Sequence, residues 1–469
     1  MSGRPPSSPT IGLVGVGYMG IATGLAFAHR GRRVIAYDIN PRVRAAVRAG
    51  RSPYQEAGLE ALLRGEVRAG RFVMVESMRE LARAAQCIFL CVPTPPGRGG
   101  HINLAPLRAA VRELGHEIAR LEGYRLVVVK STVVPGTTET VVEPLLRRTS
   151  GRGPETLGVA ANPEFLAEGR MVRDALSPER VVVGASDARA FPWVRAAYKG
   201  FAAPILELSP SEAELVKYAS NTFLALKVSF ANELSRWTER LGGNIDGVAE
   251  AVGADPRIGP QFLRAGPGFG GSCFDKDLRA YRNRAGELGL GARSAEAALA
   301  INREQADHVI ALIANTVGSL RGKTVALLGL AFKAGTDDVR ESRAFPIVDR
   351  LLRAGAHVRA HDPAATVNFR REWRRQFGEA RHGLTFASSV EQSLRGADVA
   401  VLQADWPEYL SWPTAWSGRM HRPVLVDLRR ALPAATKERA GLTVVSLGVG
   451  NGDTRWPPKP MLVAPMGRI

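Results

Sequence analysis

Cysteine is scarce in this chain: three residues, at positions 87, 91 and 273, in a length of 469. So few thiols exclude a disulfide framework and leave stability to an apolar core, for which 45% hydrophobic and 23% charged residues over two or three domains are ample. Long apolar runs are missing too. None approaches the ~20 residues that span a bilayer, and MSGRPPSSPT at the start is polar and proline-rich rather than an apolar secretory segment. A cytoplasmic protein with reduced thiols and no membrane partner is expected. Acidic residues are outnumbered, 45 against 63 Lys and Arg, for a formal net charge of +18. The excess is mostly arginine scattered along the chain, without zinc-finger spacing or an aromatic RNA-binding motif. A solvated basic surface and anionic small molecules are therefore expected, and neither a nucleic-acid partner nor a metal site.

What the chain has instead is glycine in particular places. TIGLVGVGYMG reads as a buried strand ending in a turn, LAFAHRG as the following helix closed at Gly31, and RRVIAYD as a second strand. In this βαβ unit Gly15, Gly17 and Gly20 fit G-x-G-x-x-G, with Asp38 about 20 residues on. The glycines suit a tight turn, backbone approach to a pyrophosphate, and close packing of helix on strand, while the helix N-terminus favours phosphate charge. A carboxylate at 38 suits ribose hydroxyls and repels the extra phosphate of NADP, so NAD is the expected cofactor; Arg42 and Arg44 weigh against that preference.

Strands at RFVMVES, CIFLCVPTP and RLVVVKSTVVPG alternate with helical stretches, as a doubly wound sheet requires. Cys87 and Cys91 read as core residues of an apolar strand, and Thr94 and Thr132 fall where strands run out, the edge at which such sheets bind ligands. From SPSEAELVKYASNTF a helical period continues unbroken to Leu241. Leu215, Ala219, Thr222, Leu226, Ser229 and Phe230 lie along one face, with Lys217 and Asn221, four apart, read as a solvated pair. After Gly322 a second strand–turn–helix–strand unit ends at Asp362 and lacks G-x-G-x-x-G, so it is expected to hold something other than a dinucleotide. The fold class is α/β: two Rossmann-like doubly wound domains joined by a long central helix. The expected division is an NAD-binding domain over 1–205, a central helical linker region over 206–305, a second Rossmann-like domain over 306–450, and an extended tail over 451–469. In GPGFGGSCFDKD, residues 266–277, the third cysteine follows four glycines and precedes a lysine between two aspartates.

In order and spacing, GVGYMG, KSTVVPGT, NPEFLAEG, ELVKYASNTFLALKVSFANE, RIGPQFLRAGPGFGGSCFDKD and GLAFKAGTDDVRES resemble the UDP-glucose/GDP-mannose dehydrogenase family, from the first glycine turn to about VDLRR. The resemblance implies an NAD-dependent, four-electron oxidation of a nucleotide sugar at C6, with residues 206–305 as the dimerisation and linker region and residues 306–450 as the nucleotide-sugar-binding domain. Cys273 is the implied nucleophile, forming a thiohemiacetal and then a thioester. Lys217 and Asn221 are implied to stabilise the oxyanion, Asp277 and Thr132 to hold the water that takes protons, and Glu164 to assist the water that cleaves the thioester. Implied cofactor contacts are Gly15, Gly17, Tyr18, Met19, Gly20, Asp38, Thr94, Thr132, Glu168, Lys276 and Arg340. Implied contacts to the UDP-sugar are Glu164, Phe165, Leu166, Lys217, Asn221, Phe262, Leu263, Arg264, Gly266, Gly270, Phe332 and Lys333. Arg257 is implied to reach in from a second copy of the chain, making at least a homodimer.

GGSCF is similar to the UDP-glucose branch rather than the N-acetylmannosamine branch, which tends to place histidine before the cysteine. GDP-mannose, thymidine-linked glucose, a UDP-N-acetylhexosamine and a non-catalytic nucleotide-sugar binding protein stay open as alternatives. Two positions depart from the family pattern. Asp275 adds a negative charge beside the thiol that Lys276 offsets, and Val43 stands where a basic residue is common, leaving Arg42 or Arg44 as its substitute.

Overall fold

The computed structural model describes residues 5–54, 56–378, 382–439 and 441–450; the tail expected over 451–469 lies outside them. The described chain divides into two compact units. One takes the residues up to Asn221 with Lys276–Ala292, the other Thr222–Asp275 with the residues from Arg293 onward.

The first unit is built on an eight-stranded sheet of β1 (Ile11–Val14), β2 (Val34–Tyr37), β3 (Phe72–Met74), β4 (Cys87–Leu90), β5 (Arg125–Val129), β6 (Leu157–Ala161), β7 (Val181–Ala185) and β8 (Ile205–Leu208). Their spatial order is β3-β2-β1-β4-β5-β6-β7-β8. Neighbours are parallel except β6 and β7, which run antiparallel with Ala160 opposite Ala185. Parallel strands are covered on both faces, which is why IGLV, CIFL and VVV read as continuous apolar runs instead of alternating. Cys87 and Cys91 are buried in this core, as expected. The order 3-2-1-4-5-6 reverses between β1 and β4, and a ligand crevice opens at such a point.

The second unit repeats the plan with β9 (Thr324–Leu328), β10 (His357–His361), β11 (Leu384–Phe386), β12 (Val399–Leu402), β13 (Val424–Asp427) and β14 (Thr443–Ser446). They are ordered β11-β10-β9-β12-β13-β14 and parallel throughout. After β9 the turn keeps one glycine, Gly329 at φ +104, and Asp362 Oδ2 accepts the backbone N–H groups of Leu330 and Ala331 at 2.7 and 3.0 Å.

One helix, Pro210–Leu241, links the two sheet domains, as the unbroken period predicted. Its orientation corrects the sequence reading. Leu215 and Phe230, placed on one apolar face, are 42% and 43% exposed, whereas Lys217 and Asn221, read as solvated, are 4% and 6% exposed. Periodicity locates a stripe on a helix but not the side that faces inward. Here the inward side is polar and is tolerated because its charges find partners. Glu214 is the first of these: it accepts the backbone N–H groups of Gly136, Thr137 and Thr138 and the Thr138 hydroxyl, at 2.6 to 3.1 Å.

Candidate active site

In the first unit, β1 ends at Gly15, which has φ +92; a Cβ there would lie 2.8 Å from the Cys91 carbonyl oxygen. Gly17 caps the helix Tyr18–His29 without a side-chain hydrogen bond, and a Cβ on it would meet nothing within 4 Å. A Cβ on Gly20 would lie 2.2 Å from the Gly15 carbonyl oxygen. The turn is thus closed on the protein side and open at the bare helix N-terminus, which fits a pyrophosphate. Asp38 follows β2, with Oδ2 accepting Val16 N–H at 2.7 Å and Oδ1 accepting Asn40 N–H at 2.8 Å. The Tyr18 ring lies 4.2 Å from that of Tyr54, tilted by 36°; the Tyr54 hydroxyl donates to the Val16 carbonyl, and Met19 packs on the core. Val43 also packs on the core, and Arg44 donates to the Asp38 and Ile39 carbonyls while pairing with Glu76. Thr94 and Thr132 meet past the ends of β4 and β5, the Thr94 hydroxyl donating to the Thr132 carbonyl at 2.7 Å.

A buried polar cluster follows. Lys217 Nζ lies 3.1 Å from Glu164 Oε1, and Glu164 Oε2 accepts Leu166 N–H at 2.6 Å. Burial acts to raise the Glu164 carboxyl, but Lys217, the Leu166 N–H and Lys130 outweigh it and hold it below the usual carboxylate range. Phe165 lies beneath two cations, Arg180 at 4.3 Å and Lys217 at 5.7 Å from the ring centre. One helical turn beyond Lys217, Asn221 Nδ2 donates to Asp277 Oδ2 at 2.7 Å, and Lys276 Nζ lies 2.6 Å from Asp277 Oδ1. Glu168 is half-buried in the segment after Glu164. Sequence reasoning missed Lys130. Its ammonium, pushed down to about 8 chiefly by burial, donates to Asn162 Oδ1 and the Tyr198 hydroxyl. Its only signal was its place in KSTVVPGT, one residue past the β5 run.

In the second unit, the exposed thiol of Cys273 immediately precedes the helix Phe274–Glu287, with the Ser272 hydroxyl 3.6 Å away. The glycines before it are tightly placed. A Cβ on Gly270 would lie 2.4 Å from the Glu341 carbonyl oxygen, and Gly271, at φ +84, lies against the Phe332 ring. Gly271 N–H donates to the Arg340 carbonyl, and the Arg340 guanidinium is held by Asp338. Lys333 Nζ sits 5.3 Å over the Phe332 ring. Phe262 has φ +65 and lies 6.2 Å from Phe274, Leu263 is buried, and Arg264 donates to the Arg429 carbonyl. Arg429 and Arg430, quoted above only as the end of VDLRR, were also missed: Arg430 donates to the Ala265 carbonyl, and Arg429 to those of Gln403 and Phe332. Arg257 is exposed and paired within its own chain to Asp255 at 2.6 Å.

Residues 9–202 match the NAD binding domain of the UDP-glucose/GDP-mannose dehydrogenase family, residues 211–304 its central domain, and residues 326–434 its UDP binding domain. The chain belongs to this family. Among curated relatives, it is 34% identical to the UDP-glucose 6-dehydrogenase TuaD of Bacillus subtilis, over 93% of each chain. It is 37% identical to the UDP-glucose 6-dehydrogenase AglM of Haloferax volcanii, over 93% of this chain and 99% of that one. Among solved structures, a UDP-glucose dehydrogenase from Pyrobaculum islandicum superposes with a TM-score of 0.84 at 39% identity, covering 94% of this chain and 98% of that one. A UDP-D-ManNAc dehydrogenase from Pyrococcus horikoshii gives 0.80 at 25% identity, covering 95% and 100%. As a member of this family the protein is an NAD-dependent dehydrogenase with a UDP-binding domain. Among the described residues, no helix is long and apolar enough to cross a membrane.

Proposed function

We propose that this protein oxidises UDP-glucose at C6 to UDP-glucuronate, forming two NADH per sugar. The observation that carries the reading is the buried Glu164–Lys217 pair one helical turn from Asn221 and Asp277, in a chain aligned along 93% of its length with curated UDP-glucose 6-dehydrogenases. Bound NAD supplies the hydride acceptor for each of the two steps. Gly15, Gly17, Tyr18, Met19, Gly20 and Asp38 hold it, with Thr94, Thr132, Glu168, Lys276 and Arg340.

In the first step the C6 alcohol gives up its proton to water held by Asp277 and Thr132 and its hydride to the cofactor, leaving an aldehyde. Lys217 and Asn221 supply the cation and N–H donor that stabilise negative charge on the substrate oxygen. Cys273 then adds to the aldehyde as thiolate, a charge favoured at a helix N-terminus, and the adduct oxygen takes a proton. Loss of that hydroxyl proton to the water held by Asp277 and Thr132, and of the second hydride from the same carbon, gives a thioester. Water assisted by Glu164 cleaves its C–S bond, releasing the carboxylate and the thiol. Phe165, Leu166, Phe262, Leu263, Arg264, Gly266, Gly270, Phe332 and Lys333 line the nucleotide-sugar site.

Arg257 completes the site from a second copy of the chain, and residues 206–305 form the dimerisation and linker region. A row of exposed apolar side chains on the long helix, Leu215, Phe223, Phe230, Trp237 and Leu241, supports that assembly. An exposed catalytic thiol needs a reducing compartment, which supports the reading of a cytoplasmic enzyme. The test is incubation with NAD and a panel of UDP-, TDP- and GDP-sugars, counting NADH and identifying products by mass spectrometry. UDP-glucuronate with two NADH per sugar is expected; release of aldehyde, or one NADH per sugar, overturns the reading.

A further inference from the structure

The loop that leads to Cys273 makes few backbone pairs with other backbone. Its buried polar groups are met by side chains that carry no role in the chemistry above. Gly266 N–H donates to Asn232 Oδ1 at 2.7 Å, and the Gly266 carbonyl accepts from Gln305 Nε2 at 2.7 Å. The Pro267 carbonyl accepts from Arg343 Nε at 3.2 Å. Asn302 brackets Phe269 on both sides, Oδ1 accepting its N–H at 2.8 Å and Nδ2 donating to its carbonyl at 3.1 Å. Arg343 ties the set together by donating to the Asn302 carbonyl at 2.7 Å. Asn302 and Gln305 stand three apart on one face of the helix Arg293–Val317 and are buried, as is Asn232.

The reason for this arrangement is geometric. Gly268 has φ +111 and Gly271 φ +84, so the segment cannot run as a strand or helix and form a ladder. Buried backbone groups still require partners. Primary amides are suited to the task because one side chain both donates and accepts, as a peptide does. Cys273 lies only two residues past Gly271, so whatever holds this backbone also sets where the thiol sits. Burial and the charge of Arg350 push the Arg343 guanidinium down to about 10, against the opposing pull of Glu341 and Asp275. The extra acid beside the thiol therefore acts on a cation of this same set.

We propose that Asn302, Gln305 and Arg343 are positioning residues for the Cys273 thiol, holding the backbone of residues 266–269 so that the thiol captures the aldehyde before it escapes. The proposal rests on the two-step oxidation above, in which the first hydride transfer makes no use of the thiol. Loosening the clamp therefore changes the partition between aldehyde and acid, whereas a merely destabilised fold lowers both steps together.

The test compares wild type with Asn302→Asp, which keeps the acceptor for Phe269 N–H and turns an oxygen toward the Phe269 carbonyl, and with Gln305→Met and Arg343→Lys. Each full-length protein is supplied with UDP-glucose and NAD in the presence of hydroxylamine to trap aldehyde. The expected result is a fall in NADH per sugar from two toward one and at least a tenfold rise in trapped aldehyde for Asn302→Asp. Gln305→Met, which loses the bond to the Gly266 carbonyl and the one accepted from Arg236 at 3.3 Å, is expected to show the same direction and serves if Asn302→Asp does not fold. A ratio of two in every folded variant, however slow, overturns the proposal. If wild type itself does not oxidise UDP-glucose by four electrons, the functional reading fails instead. The clamp is then read from the rate of iodoacetamide alkylation at Cys273: at least a fivefold change in Asn302→Asp supports it, and an unchanged rate overturns it.

Discussion

Glu164 and Lys217 are charged groups removed from water, and each is stable there because of the other. Replacing one leaves the partner's charge buried and changes the chemistry along with the fold. Glu164→Gln keeps the shape and, on the proposed mechanism, loses the base, so a thioester is expected to accumulate during turnover. Intact-protein mass spectrometry after an acid quench should find the sugar adduct in Glu164→Gln and none in Cys273→Ala; an adduct persisting in Cys273→Ala would assign the covalent step to another residue. Lys217→Met removes the cation proposed to face the substrate oxygen and should lower kcat by roughly 10²- to 10³-fold, with the NAD Kd, set at the separate glycine turn, unchanged. A different carboxyl governs stability against pH. Burial raises Glu214 to about 7 from an ordinary value of 4.5, and its four donors offset this only in part. A raised carboxyl stabilises the fold fully below its unfolded pKa and loses that contribution as pH rises through the folded one, here of order 3 kcal/mol. The Tm of wild type minus that of Glu214→Gln should therefore fall between pH 5 and pH 8; a difference that stays constant or grows rules this out.

At the scale of single elements, the glycine turn after β1 is the most constrained piece of the first unit. An alanine at 20 would place its Cβ 2.2 Å from the Gly15 carbonyl, a backbone atom that cannot swing aside. Gly20→Ala is expected to weaken NAD at least tenfold by equilibrium titration while UDP binding persists, since UDP belongs to the domain built on the other sheet. Equal loss of both ligands would show that the substitution unfolds the protein. The same turn sets cofactor choice. Asp38 spends one oxygen on Val16 N–H and the other on Asn40 N–H, which fixes the carboxylate proposed to meet the ribose and repel the extra phosphate of NADP. A kcat/KM for NADP above that for NAD would show that Arg42 and Arg44 outweigh it.

For the whole molecule, the long helix is the decisive element. Leu215, Phe223, Phe230, Trp237 and Leu241 follow one another at spacings of eight, seven, seven and four and are 42% to 63% exposed. Large apolar side chains repeated at this period make a seam for another helix. Phe223→Glu combined with Trp237→Glu should shift the sedimentation coefficient to that of a monomer and abolish turnover together with the contribution of Arg257. Mixed oligomers of Arg257→Ala and Cys273→Ala chains should recover activity, because each chain keeps what the other lacks. No recovery after verified subunit exchange would place the whole site within one chain.

Much of this was legible in the residues themselves. The βαβ pattern and G-x-G-x-x-G are local, and the apolar runs of β1, β4, β5, β9 and β12 needed only the rule that a doubly covered parallel strand is apolar throughout. Six ordered motifs pointed to the family and to the residues proposed for its chemistry. Other features depended on contacts far apart in the chain. Strand β8, with Glu207 exposed at its centre, carries no comparable run, and the antiparallel pairing of β6 with β7 has no local signature. A helical period cannot say whether Lys217 faces water or Glu164, because the answer lies 53 residues away in sequence. Nor can it say that Asn302, Gln305 and Arg343 converge on residues 266–269. Local propensity and spacing act within a few residues, and they determined which elements form and which chemistry is present. The pairing of buried charges and backbone groups is decided only when distant segments pack, and that is what turned a surface lysine into a buried one and three ordinary polar residues into a clamp.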